Sequence, residues 1–153
     1  MNGKPNYQHY SNRPGQGGGP PRQADANSPS VLQEILRAVP EFIDPVQDKN
    51  GQKLVDAAEK LGRYLAKNMT TSQVRNLFMA ARRIGDSANW QYEKNLLRAK
   101  FAYNAGRFRG GVKDFQQIAD KALQEVKTKE QFDRFIDFFE AVVAYHRAAG
   151  GKE

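Results

Sequence analysis

From Ser30 onward, apolar residues return every three or four positions and never alternate with polar ones for long enough to make a strand. That periodicity restricts the chain to helices that each bury one stripe, so the fold class is all-α. Val31, Leu32, Ile35, Leu36 and Val39 predict a short first helix ended by Pro40, with Pro45 keeping the next stretch irregular. Leu54, Ala58, Leu61 and Leu65 predict a helix over about 51–68. Thr70 and Gln73 form a capping box that opens a third helix, buried through Val74, Leu77, Phe78, Ala81 and Ile84 and closed by Gly85-Asp86. A fourth runs from about Ala88 to Ala105 with Trp90, Leu97 and Phe101 in line, and Gly106 is placed as its left-handed terminal residue. Val112, Phe115, Ile118, Ala119, Ala122 and Val126 mark a fifth. Thr128 and Gln131 repeat the capping box before a sixth, whose apolar face is Phe132, Phe135, Ile136, Phe139, Val142 and Val143. With connections of two to six residues, residues 31–153 read as a single compact bundle of about five to six helices.

Residues 1–30 differ in kind. They hold 5 Gly and 5 Pro and almost no core-forming side chain, so they are expected to form a disordered N-terminal tail. The 153-residue chain has no Cys and only His9 and His146, which removes disulfides, thiolate nucleophiles and Cys-type zinc sites. No Ser lies near a His in sequence, and no Gly run leads into Gly-Lys-Ser/Thr, so neither a Ser–His pair nor a phosphate loop is supported. No catalytic residue, cofactor site or metal site is therefore expected. No apolar stretch is long enough to span a membrane and the N-terminus lacks a signal-peptide core, so a cytoplasmic protein is expected.

The formal net charge is +7, but its distribution says more than its size. Residues 60–110 carry 11 basic and 2 acidic side chains, whereas residues 31–59 carry 3 and 6, and residues 111–153 carry 7 and 8. On the third helix Arg75 and Arg82 are nearly eclipsed with Arg83 alongside, centred roughly opposite the apolar stripe. On the fourth, Leu96, Lys100, Tyr103 and Arg107 share a flank, while Lys94 and Arg98 lie on another side. A basic flank with an aromatic suits a phosphate backbone plus one stacked base or sugar; the competing reading is a solvated face with Tyr103 half-buried. The segment Gly106-Arg-Phe-Arg-Gly-Gly111 resembles an arginine–glycine RNA element through Arg107 and Arg109, but a single copy reads rather as a Gly-rich helix link. His146 falls on the apolar face of the last helix and is expected to pack there. Asp133, Asp137 and Glu140 line its polar side as a solvated acidic stripe. The link Gly85–Ala88 is not diagnostic of a helix-turn-helix.

Three blocks occur in order: Thr70-Thr-Ser-Gln-Val-Arg-Asn-Leu-Phe78, Leu96-Leu-Arg-Ala-Lys-Phe-Ala-Tyr-Asn-Ala-Gly-Arg107 and Phe138-Phe-Glu-Ala-Val-Val-Ala-Tyr-His-Arg-Ala-Ala-Gly-Gly151. Together, across about 70–151, they resemble the small helical subunit of the type III-A CRISPR effector, the Csm complex. The resemblance implies a non-catalytic RNA-binding scaffold in antiviral defence. It implies as partners the guide RNA, the target RNA paired to it, other subunits of the effector and stacked copies of itself. Its basic surface maps onto Arg75, Lys100 and Arg107, with Tyr103 and Asn104 as neighbours; in the third block the helical spacing makes His146 packing and Arg147 exposed. Arg82, Arg83 and Arg109 join that surface from charge and spacing alone. Competing readings are the type III-B small subunit, a helical adaptor that binds only protein, and an enzyme with a metal–carboxylate site on the last helix.

Overall fold

A computed structural model describes residues 30–108 and 110–151; the tail expected over 1–30, apart from Ser30, lies outside them, as does Arg109. Among the described residues there are six helices and no strand: α1 (Val31–Phe42), α2 (Gln52–Ala66), α3 (Thr71–Ile84), α4 (Trp90–Arg107), α5 (Gly111–Glu125) and α6 (Lys129–Ala148). The all-α fold is as the periodicity predicts. Helix α6 is the spine: it packs most extensively on α2 and also touches α3 and α5, while α4 rests on α5 and α3, and α1 on α2 and α5.

Both capping boxes form. Thr70 and Thr128 each accept from the backbone N–H three residues on, and Gln73 and Gln131 each accept from the N–H of their Thr. Each box satisfies two amides that a helix N-terminus otherwise leaves bare. The stripe residues of α2 and α3 are buried as expected. Phe139 on α6 is the hub of the core, meeting the rings of Phe78 from α3, Phe101 from α4, Phe115 from α5 and Phe135 one turn back, with centroids 4.7 to 6.2 Å apart. These offset and edge-on contacts each add about 0.5–1.5 kcal/mol beyond the area they bury.

Four expectations are corrected. Pro40 does not end α1, which runs to Phe42. Pro40 stands in the last turn, where it forgoes one bond to the Leu36 carbonyl. Burial of Phe42 and Ile43 and the bond from Ile43 N to Val39 O (3.0 Å) carry the chain past it. Gly106 is not the left-handed terminal residue of α4. The helix continues through Arg107, Phe108 N donates to Asn104 O (2.9 Å), and Phe108 packs on the core. The reversal falls instead on Gly110, whose φ of 71° suits glycine. On α6 the buried arc includes Phe138 and leaves Ile136 and Val143 half-buried, because neighbours on two sides widen it and Phe138 stacks on Phe42 of α1 at 4.6 Å. The link between α1 and α2 spans residues 43–51, longer than the expected six.

That long link holds its shape through a buried ion pair. Asp48, 3% exposed, accepts from Lys53 N and Leu54 N and so caps α2 with its side chain. Arg134 of α6 donates to the Asp48 carboxylate at 2.9 Å, to the Asp48 carbonyl at 2.8 Å and to the Phe42 carbonyl at 2.9 Å. One guanidinium thus ties α1, the link and α2 to α6, which is why nine irregular residues need no secondary structure of their own.

Candidate nucleic-acid interface

Nine cations of the middle third fall into two groups; Lys67, exposed just beyond α2 and without an ion pair among the described residues, belongs to neither. Lys60 pairs with Glu34 at 3.3 Å, and Arg63 with Glu59 at 2.5 Å. Arg98 grips Asp120 through two nitrogens, at 2.6 and 3.3 Å. That bond holds the Asp120 carboxyl below its ordinary range and raises the Arg98 guanidinium above its own. Lys94 donates to the Val126 carbonyl at 2.9 Å, and its ammonium is pushed down, first by burial and then by the charges of Lys127 and Arg98. Lys94 and Arg98 thus fasten α4 to α5, on the side away from the flank that carries Lys100.

Arg75, Arg82, Arg83, Lys100 and Arg107 are the second group. All are exposed, and none forms an ion pair among the described residues. The guanidinium of Arg82 lies over the Phe78 ring at 6.0 Å and that of Arg107 over Phe108 at 5.2 Å, cation–π contacts that restrain both heads without neutralising their charge.

Helical phase orders them around one arc. Arg75 and Arg82 occupy the flank of α3 turned from α4, and Met79 and Arg83 follow toward the groove between the two helices. A groove of about 340 Å³ brings Arg83 and Lys100 together across Ala80, Ile84 and Leu96, with Glu93 at its edge. A second cleft further along places Arg107 against Asn76 and Leu77. The structure therefore joins Arg83 to Lys100 and sets Arg107 against α3, while Arg75 and Arg82 form the outer edge of the same arc. Arg147 lines neither groove. It lies in the last turn of α6, which bonds to the start of α3 through His146 Nε2 to Met69 O (2.9 Å) and Thr71 Oγ1 to Gly151 O (3.5 Å), at the end of α3 that carries Arg75. Since a carbonyl only accepts, Nε2 of the buried His146 carries the proton, and the residue packs as its position in the sequence suggests.

Tyr103 is 68% exposed rather than half-buried. Tyr92 (67%) and Leu96 (53%) share its side of α4, eleven and seven residues away. Tyr92 escaped the sequence reading although the steps Tyr92–Leu96–Tyr103, of 4 and 7, were there to be read. Helix α4 is apolar on two opposite faces, with Leu97 and Phe101 inward and these three outward.

The acidic stripe on α6 is exposed. Desolvation, then the neighbouring Glu140 and Asp133, raise the Asp137 carboxyl above its ordinary value. Among the described residues no group of three His, Cys, Asp or Glu side chains is arranged to hold a metal ion. None of the described helices is long and apolar enough to cross a membrane.

These features define a small helical protein that divides its cations between fastening the bundle and dressing the outer arc of α3 and α4. The sequence profile of the Csm2 type III-A family matches residues 48–152. A curated relative from Streptococcus thermophilus, named CRISPR system Cms protein Csm2, is 34% identical over 116 residues, covering 67% of this chain and 95% of the relative. No solved structure matches significantly. The chain belongs to the Csm2 family, the small subunits of the type III-A Csm complex. The family match reaches back to residue 48 and so takes in the Asp48 cap and all of α2, which the three sequence blocks did not include.

Proposed function

We propose that this subunit is a non-catalytic RNA-binding scaffold of a cytoplasmic type III-A ribonucleoprotein. The arc of α3 and α4 lies along the backbone of the guide RNA and the target RNA paired to it. Arg75, Arg82, Arg83, Lys100 and Arg107 contact phosphates, Tyr103 meets a base or sugar, and Arg109 and Arg147 add further positive charge for RNA. The observation that carries this reading is the clustering of charge: Lys60, Arg63, Lys94 and Arg98 are engaged by partners in the bundle, while these five gather on α3 and α4, exposed and without an ion pair among the described residues. Contacts to phosphate and duplex shape place no demand on base sequence, as a scaffold for interchangeable guides requires. The acidic stripe of α6 and the remaining surfaces would then face other effector subunits and copies of the chain.

Two measurements test it. When the protein is purified with the other subunits, RNA of guide length should co-purify. For the isolated chain, each phosphate contact removed by Arg75→Ala or Lys100→Ala should reduce the slope of log affinity against log salt by about 0.7–0.9. The exposed Tyr92, Leu96 and Tyr103 favour a second reading, in which the same helix docks a protein neighbour. Co-purification with the other subunits, with no salt-sensitive affinity for any RNA, would select that adaptor reading.

A further inference from the structure

Resting on the RNA-binding reading above, we propose that the cleft between α3 and the end of α4 receives one unstacked nucleobase of a bound RNA strand, with the adjoining phosphate at Arg107. The cleft holds about 180 Å³, and its walls include Leu77, Val112 and Phe108 on the apolar side and Asn76, Asn104 and Arg107 on the polar side. Pockets for drug-sized ligands run to about 300–1,000 Å³, so this one is sized for a single ring system.

Its chemistry is that of a base edge and a base face. Asn76 is exposed and its carboxamide makes no hydrogen bond among the described residues, so both its donor and its acceptor are open. Asn104 spends one amide proton on the Lys100 carbonyl at 2.9 Å and keeps its oxygen as an acceptor. Gln73, also on the wall, has its oxygen engaged by Thr70 N at 3.0 Å and retains its amide protons. Donors and acceptors therefore converge from two helices, and carboxamides accommodate the edge of any base. Phe108 and the guanidinium of Arg107, 5.2 Å from the ring centroid, supply the flat surfaces on which unpaired bases stack, with a positive charge at the mouth for the phosphate. The bases of a continuous A-form duplex are paired and stacked on one another, so only an unpaired or extruded base can enter.

The test is equilibrium binding of the full chain to a single-stranded oligouridylate, and to a paired duplex of the same length, across a salt series. Asn76→Leu and Asn104→Leu fill or depolarise the cleft at surface positions that carry no core packing. Both should weaken single-strand binding about tenfold, the order of one stacked base, with an unchanged salt slope and unchanged duplex affinity. Thermal melts followed by circular dichroism should match the parent protein. Wild-type affinity for the single strand in both variants, or equal losses for single strand and duplex, would overturn the base pocket while leaving the backbone reading in place. Absence of salt-sensitive binding by the parent chain to either RNA would overturn both.

Discussion

Arg134 on α6 is almost buried and bonded through two of its nitrogens to Asp48 and the Phe42 carbonyl, whereas Arg83 and Lys100 stand exposed on either wall of the α3–α4 groove with no ion-pair partner among the described residues. The first region spends its charge on architecture: one guanidinium replaces secondary structure across the long α1–α2 link. The second leaves charge of one sign in water, where it repels itself and contributes nothing measurable to folding. Removing a charge should therefore have opposite consequences in the two places, on stability in one and on binding in the other.

The sharpest way to break that comparison is Asp48→Ala. It leaves Arg134 buried without its carboxylate and uncaps two amides of α2, so denaturant unfolding should show a loss of about 3–5 kcal/mol. Arg83→Ala should change stability by no more than about 0.5 kcal/mol. Next is Gly62→Ala on α2. The new methyl would lie 2.6 Å from Tyr145 Cβ and 2.8 Å from His146 N, pushing α2 from α6 at a cost of about 1–3 kcal/mol in the same assay.

Asp120→Asn should cost up to about 1 kcal/mol near neutral pH, given the partial exposure of its pair with Arg98. The folded carboxyl is held below its unfolded value, so its contribution is present above the unfolded pKa and fades as pH falls through the folded one. The difference between Asp120→Asn and the parent should shrink in acid. Asp137→Asn should do the reverse, raising the melting temperature slightly at neutral pH and low salt. Its folded carboxyl is held above the unfolded value, so ionisation costs stability as pH rises and the gain should vanish below about pH 4.

The same contrast explains what could be read from the sequence. Helix order, both capping boxes and the stripes of α2 and α3 depend on residues three or four apart, and those were legible. The placement of Lys94 and Arg98 on a different side of α4 from Lys100 was legible too, but their partners Asp120 and Val126 lie 22 and 32 residues away and were not. The Arg134–Asp48 clamp spans 86 residues, and the stacking of Phe138 on Phe42 likewise needs the tertiary fold. Among the candidate RNA residues, sequence spacing grouped Lys100, Tyr103 and Arg107 correctly on one flank. It could not say that Arg83 meets Lys100 across a groove, nor that Arg147 sits at the other end of α3, because both depend on how α3, α4 and α6 pack.

The central claim is that unpaired cations of the α3–α4 arc, not the basic residues of the chain at large, make the RNA surface. The most direct measurement compares RNA affinity over a salt series for Arg83→Ala/Lys100→Ala/Arg107→Ala with that for Lys60→Ala/Arg63→Ala, whose residues are paired on α2. The account predicts that the triple variant loses about 2–3 from the salt slope while the double variant keeps the parent slope. Equal losses in the two, or a loss confined to the α2 pair, would contradict it.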